Sequence, residues 1–193
     1  MPRIERSSLM PLETYARERP QFRARIMEHK KTRTVHLGGH VTLIFEDELT
    51  IRYQIQEMLR AERIFEEDGI RGELDAYNPL VPDGRNLKAT MMLEYPDPEE
   101  RKQRLAALKG IERKTWIQVG QMERIWAIAD EDLDRENEEK TSSVHFLRFE
   151  LAEPAAQALK GGAALSIGIA HPAYDVSVTV TQAVRDSLVK DLA

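Results

Sequence analysis

One acidic side chain stands out among the residues that could do chemistry, because it lies where an apolar side chain is expected. Residues 47–68 are a long stretch without glycine or proline in which apolar residues recur with a helical period. At 100° per residue, Glu62 points into the middle of the apolar face of that predicted helix. A buried carboxylate is costly unless it is paired, hydrogen-bonded, protonated or bound to a metal. Glu62 is therefore either a structural partner of a buried arginine or a functional carboxylate.

Other polar side chains on this helix, and on the segment after it, would surround Glu62. Residues 71–85 contain the turn signals Asn78-Pro79 and Pro82-Asp83-Gly84 and are expected to form an ordered loop that packs over the helix. Such a cluster is either a binding pocket or a buried network that fixes the fold, and both alternatives stay open. The candidate polar pocket consists of Gln54, Glu57, Arg60, Glu62, Tyr77 and Asn78.

The sequence has none of the familiar catalytic or nucleotide-binding motifs. It lacks GxGxxG, GxxxxGK[ST], HExxH, Glu-x-x-His and GxSxG patterns. The absence of cysteine excludes disulfides, thiolate catalysis and cysteine-ligated zinc or iron–sulfur clusters. The five histidines are scattered, and a two-residue turn at Gly38-Gly39 would put His36 and His40 on opposite faces of a hairpin. No cofactor and no metal site are predicted.

Charge is distributed unevenly along the 193 residues. Residues 1–33 carry nine Arg and Lys against four Asp and Glu, whereas residues 34–193 carry nineteen against twenty-nine. Pro20 is expected to begin a basic amphipathic helix with Phe22, Ile26 and His29 on one stripe. This arm either contacts an anionic partner or lies back on the acidic body, and Arg23 and Arg25 are the first candidate partners for Glu62. The cations that could bind a partner are Arg23, Arg25, Lys30 and Lys31.

The remaining elements indicate a mixed fold. Asp47 or Thr50 is expected to cap the central helix, Gly69 and Gly72 to mark its exit, and residues 130–140 to form a solvated acidic connection. Helices interspersed among strands with hairpin links predict a single α+β domain with a largely antiparallel sheet of about eight strands. An N-terminal basic helical arm, 1–33, would pack on an α+β domain, 34–193, that ends in a C-terminal helix. The β-rich runs are 34–37, 40–46, 87–95, 114–119, 124–129, 144–151, 164–170 and 176–180.

Several stretches resemble the DUF3501 family of bacterial proteins. They are FEDELTIRYQIQEMLRAERI, ELDAYNPLVPDGRNLKATMMLE, the upstream HKKTRTVHLGGHVTLIFE, and the downstream SVHFLRFEL and HPAYD. The resemblance covers nearly the whole chain and implies no assigned activity. It implies that such proteins are often encoded beside rubrerythrin-like proteins and iron–sulfur oxidoreductases, which points to peroxide or redox metabolism.

Two classes of function follow as expectations. The first is a non-enzymatic accessory or binding protein, with a rubrerythrin-like protein or an iron–sulfur oxidoreductase as its partner. The alternative is a metal- or small-molecule-dependent enzyme that uses Glu62, Glu57 and a histidine brought near by folding. Nucleic-acid binding through residues 17–33 is disfavoured, because the segment offers few aromatic rings for stacking. Without a signal peptide or a long apolar run, the expected location is the cytoplasm, with no membrane contact.

Overall fold

The computed structural model describes residues 3–129 and 140–193, and within these ranges the α+β prediction is confirmed. The predicted acidic connection at 130–140 lies almost entirely outside them. No helix in these ranges combines the length and apolarity needed to cross a bilayer. The helices are α1 (Leu12–Lys31), α2 (Glu48–Ala61), α3 (Glu67–Tyr77), α4 (Pro98–Ala107), α5 (Glu153–Lys160) and α6 (Gln182–Leu188). The strands are β1 (Thr34–Leu37), β2 (Val41–Glu46), β3 (Asn86–Leu93), β4 (Thr115–Val119), β5 (Ile125–Trp126), β6 (Ile128–Ala129), β7 (Val144–Glu150), β8 (Leu165–His171) and β9 (Tyr174–Thr179).

The strands form two antiparallel sheets rather than one. Their orders are β1-β2-β3-β7-β6 and β5-β4-β8-β9. Alternate residues of both sheets belong to a single buried cluster, so the main core lies between the sheets and is completed by side chains of α4, α5 and α6. Helices α1 to α3 add two smaller clusters, one around Ile55 and one around Phe22 and Tyr53.

The first hairpin pairs in a different register from the predicted one. Leu37 lies opposite Val41, so residues 38–40 form a three-residue loop and His40 belongs to it. The predicted two-residue turn at Gly38-Gly39 was therefore wrong, and His36 lies opposite Thr42. The longer loop lets the apolar residues of both strands face the core, namely Val35, Leu37, Val41, Leu43 and Phe45.

Helix α1 begins eight residues before the expected start. Pro20 lies inside it rather than at its first turn. A proline there removes one backbone hydrogen bond and normally breaks a helix. The helix continues because Tyr15, on one side of Pro20, and Phe22 and Ile26, on the other, are all buried in the same packing face. Tertiary packing therefore outweighs the local signal.

Glu62 is exposed, and its predicted place in the apolar face of a long helix was wrong. Helix α2 ends at Ala61, Glu62 is the capping residue after it, and Arg63 adopts a left-handed φ of 54° that redirects the chain. Phe65, which the same helical phase placed inside, is 64% exposed. The helical period therefore applies up to Ala61 and carries no information beyond it.

The segment predicted as a loop after Gly69 is largely helical. Gly69 and Gly72 both lie inside α3, which runs to Tyr77. The γ2 methyl of Ile64 lies 2.7 Å from the position that a Cβ of Gly69 would occupy. Gly69 thus lets the α2–α3 turn pack closely against α3, which explains a glycine within a helix.

Candidate functional site

Glu57 is the centre of a polar cluster between α1 and α2. Its carboxylate accepts a hydrogen bond from the Tyr15 hydroxyl at 2.7 Å and two from Arg19, through Nε and Nη2, at 2.7 Å each. Nε of Arg60 lies 3.6 Å from Oε1 of Glu57. The Arg19 hydrogen bonds lower the pKa of Glu57 to about 2, and the Tyr15 hydrogen bond adds to this against the opposing effect of burial.

This cluster is a structural staple, meaning a set of contacts that holds α1 against α2, and it does not have the properties of an acid–base pair. Glu57 is ionised at neutral pH, and its oxygens are occupied by donors. Burial, followed by the Glu57 hydrogen bond, raises the pKa of Tyr15 well above its ordinary value, so the hydroxyl stays protonated. Neither group has a pKa near 7, where proton transfer is most effective.

The structure separates the other members of the candidate polar pocket. Gln54 and Tyr77 are half-buried, whereas Arg60 and Glu62 are exposed at the end of α2. The amide of Asn78 faces the N-terminal segment, where Oδ1 accepts from Ile4 N at 2.8 Å and Nδ2 donates to Ile4 O at 3.0 Å. Glu57 instead faces α1, so the chain does not gather the six residues around one point.

The cations proposed for partner contact have different surroundings. Arg23 donates from Nη1 to the Tyr53 hydroxyl at 3.3 Å, and Lys30 lies 6.0 Å above the centre of the Tyr53 ring. Lys31 pairs with Glu28. Arg25 is exposed and has no carboxylate within 4 Å in the part of the chain that the structure describes. The expected pairing of Arg23 or Arg25 with Glu62 was wrong, since Glu62 lies at a solvent-exposed helix end.

A buried ionic network that the sequence did not indicate surrounds Arg33, which is 1% exposed. Its guanidinium donates to Phe45 O at 2.8 Å, to Glu46 O at 3.1 Å and to the carboxylate of Asp191. Nη1 of Arg33 also lies 3.5 Å from Oδ2 of Asp47. The network joins the end of α1, strand β2, the start of α2 and the C-terminus.

The two carboxylates of this network have opposite pKa shifts. Burial raises the pKa of Asp191 to about 6, although Arg33 acts in the opposite direction. Burial also acts upward on Asp47, but Arg33, the Thr50 N–H and His29 leave its pKa below the ordinary value. Asp47, one of the two caps predicted for α2 beside Thr50, is its N-cap, and it also accepts a 2.6 Å hydrogen bond from Nε2 of His29. The prediction that Asp47 caps the helix is confirmed.

A small open cavity of about 240 Å³ lies where β3 leaves the five-stranded sheet. Arg101 is fixed there by donating from Nε to Tyr95 O at 2.7 Å and from Nη2 to Pro96 O at 2.9 Å. His40 stacks on Tyr95 with ring centres 4.3 Å apart. The lining residues are Leu93, Glu94, Tyr95, Pro96, Arg101 and Ser143.

Comparison with known proteins gives a consistent result. The sequence model of the family described as "Protein of unknown function (DUF3501)" matches residues 3–192. The chain is also similar to a crystal structure of a novel protein of unknown function from Burkholderia pseudomallei K96243, with 52% identity, full coverage of both chains and a TM-score of 0.96. No curated protein matches the chain.

Proposed function

The chain belongs to the DUF3501 family, and from that premise we propose that it is a non-enzymatic accessory protein that binds an acidic protein partner through α1. The contact surface is one side of α1, defined as Arg17 and Arg25. Both side chains are exposed. The family description names no activity, so the proposal rests on the charges of the described residues.

The observation that carries the proposal is a difference among the cations of the N-terminal arm. Four of them pair with carboxylates of the rest of the chain: Arg3 with Asp75, Arg6 with Glu67, Arg19 with Glu57 and Arg33 with Asp191. Arg17 and Arg25 have no such partner within 4 Å among the residues that the structure describes. The arm is thus held to the body by one set of cations and presents another set to solvent.

The geometry of the unpaired cations suits a protein surface. Arg17 and Arg25 are eight residues apart, which is about 12 Å along a helix, and lie within about 80° of each other around it. Exposed charges at such a surface contribute mainly to association rate and to choice of partner. An acidic patch of similar length is the complement that they require.

The resemblance to DUF3501 proteins provides the first partners to test. Rubrerythrin-like proteins and iron–sulfur oxidoreductases are the expected genomic neighbours, and either one qualifies if it presents an acidic surface. The comparisons carry no redox assignment, so this narrower choice rests on the resemblance alone. The alternative of an enzyme centred on Glu62 is weakened by the exposure of Glu62 and by the saturated hydrogen bonding of Glu57.

Affinity capture from native cell extract tests the proposal. The bait proteins are the wild type, the variant Arg17→Glu/Arg25→Glu, and the control Arg71→Glu/Lys102→Glu, which makes the same charge change at exposed sites on α3 and α4. We expect the wild type and the control to recover the same partner and the α1 variant to lose it. Equal recovery by all three proteins, or turnover of a screened substrate by the purified chain, would contradict the proposal.

A further inference from the structure

Strand β9, Tyr174–Thr179, is the longest edge strand of the two sheets in the described parts of the chain. It has six residues, whereas the edge strands β1, β5 and β6 have four, two and two. β9 pairs with β8 along its whole length without a bulge, and no described strand pairs with its other side. It contains neither a proline nor a lysine, the residues that commonly protect an edge from another strand. β9 can therefore accept a further strand at a site away from the proposed α1 contact.

The backbone groups that point away from β8 follow from the register of the β8–β9 pair. In an antiparallel pair, alternate residues exchange hydrogen bonds with the neighbouring strand, and the residues between them face the other way. Val180 donates its N–H to Leu165 O at 2.9 Å, so the even-numbered residues of β9 bond to β8 and the odd-numbered ones face outward. No other backbone hydrogen bond among the described residues involves the outward groups. The outward-facing residues are Asp175, Ser177 and Thr179.

The side chains of β9 divide between the two faces of the sheet. Val176 and Val178 are half-buried and pack against the main core. The side chains of the three outward-facing residues are exposed, and Asp175 is the single charge in the strand. A strand added to this edge must therefore extend the apolar face and keep carboxylates away from Asp175.

We propose that β9 pairs with β9 of a second copy of the chain, in antiparallel orientation and with the two-fold axis at Ser177. In this register Asp175 of each copy lies opposite Thr179 of the other, where a hydroxyl rather than a second carboxylate faces it. The three outward-facing residues then exchange about six backbone hydrogen bonds across the axis. Val176 of each copy lies opposite Val178 of the other, which continues the apolar face from one copy to the next. The two four-stranded sheets become one sheet.

Other positions of the two-fold axis give poorer pairing. With the axis at Asp175, the two copies of that carboxylate lie directly opposite each other, which is destabilising. With the axis at Thr179, the pairing runs into α6, which begins at Gln182. Only the axis at Ser177 brings all three outward-facing residues into pairs within the strand. The edge is thus complementary to itself, which favours a second copy over an unrelated strand.

The contact is small, so the dimer is expected to be reversible. A single pair of six-residue strands is a minor contact beside the roughly 1,200–2,000 Å² that stable complexes bury. We expect monomer and dimer to exchange with a Kd in the micromolar range. Sedimentation equilibrium of the purified chain between about 1 µM and about 1 mM measures this Kd.

Substitution of Ser177 tests the backbone pairing. Ser177→Pro removes the outward N–H at the axis and leaves the hydrogen bonds to β8 intact, because proline is tolerated at an edge position whose N–H faces away from the sheet. We expect it to raise the Kd about ten-fold or more. The matched control Ser177→Ala keeps the N–H and should dimerise like the wild type.

A charge exchange tests the register. Thr179→Glu puts a carboxylate opposite Asp175 of the other copy and should also raise the Kd about ten-fold or more. Adding Asp175→Lys should restore the dimer, because opposite charges then face each other twice across the axis. Within one chain, positions 175 and 179 are about 13 Å apart along the strand, so this rescue requires two copies.

Three results would overturn the proposal. They are a wild type that stays monomeric up to about 1 mM, an equal Kd for the wild type and Ser177→Pro, or loss of the dimer in Arg17→Glu/Arg25→Glu, which would place the interface on α1. Cooperative thermal unfolding shows whether each variant is folded. If Ser177→Pro does not fold, Thr179→Glu decides, and a failure of Asp175→Lys to restore its dimer would refute the pairing.

Discussion

The substitution Glu57→Gln tests most sharply whether the α1–α2 cluster is a structural staple. Glutamine keeps the size of the side chain and one acceptor, but it removes the charge that receives two 2.7 Å hydrogen bonds from Arg19. It also exchanges the acceptor of the Tyr15 hydroxyl for an amide oxygen. The helices should stay packed, because Phe22, Ile26 and Tyr53 still form their buried cluster.

The magnitude follows from the pKa of Glu57. A fall in its pKa from 4.5 to about 2 on folding corresponds to roughly 3 kcal/mol at pH 7, at 1.36 kcal/mol for each pH unit. The side chain is 19% exposed, so solvent screening reduces this figure. We therefore expect Glu57→Gln to lower the free energy of unfolding by about 2–3 kcal/mol at pH 7.

The pH dependence provides an independent check. Because the pKa of Glu57 is lower in the folded chain, its contribution is complete above about pH 4.5 and is lost as the pH falls toward 2. The difference between wild type and Glu57→Gln should therefore shrink to about half by pH 3. Urea denaturation at the two pH values measures both quantities.

The matched control is Glu67→Gln, which removes an exposed partner of Arg6 and should cost less than about 0.5 kcal/mol. A loss for Glu57→Gln as small as that of the control would refute the staple. So would a loss that stays constant between pH 7 and pH 3, because it could not come from the carboxylate charge.

Three further predictions follow from the same structure. Glu62→Ala should change the free energy of unfolding by less than about 0.5 kcal/mol, because the side chain is exposed at a helix end; a loss of about 3 kcal/mol would restore the buried position predicted from the sequence. The pKa of Asp191 is raised to about 6 in the folded chain. The wild-type free energy of unfolding should therefore include a contribution that falls as the pH rises from about 4 to about 6. Asp191→Asn should lack that slope in denaturation curves, and an unchanged slope would refute the assignment. Gly168→Ala should lower the free energy of unfolding by about 3 kcal/mol or more, because the added Cβ would lie 2.4 Å from Cζ2 of Trp116 and 2.7 Å from the Val176 carbonyl oxygen. Thermal melting measures the loss, and a neutral effect would contradict this packing.

The sequence predicted the elements of the fold better than their ends. The cap at Asp47 could be predicted because it depends on the few residues that follow it. The end of α2 was not readable, because Arg63 takes a left-handed conformation that glycine or asparagine would normally signal. Pro20 led to the opposite error. A proline usually begins or breaks a helix, but α1 continues through Pro20 because residues on both sides of it are buried.

The polar clusters show the same limit more strongly. Glu57 was among the candidates because it lies on a clearly periodic helix, but its partners Tyr15 and Arg19 precede Pro20 and fell outside the predicted helix. Arg33 and Asp191 are 158 residues apart and belong to no local pattern. Contacts of this range are set by the packing of the finished fold, so no period or spacing in the sequence indicates them.

The most direct test of the proposed function is the affinity of the purified chain for the partner recovered by affinity capture. We expect Arg17→Glu/Arg25→Glu to bind about ten-fold or more weakly than the wild type, because each exposed charge that is reversed contributes up to about 1 kcal/mol. Wild-type binding should also weaken as salt is raised, and the control Arg71→Glu/Lys102→Glu should match the wild type. Equal affinity of the α1 variant and the wild type at low salt would contradict the claim that α1 is the contact surface.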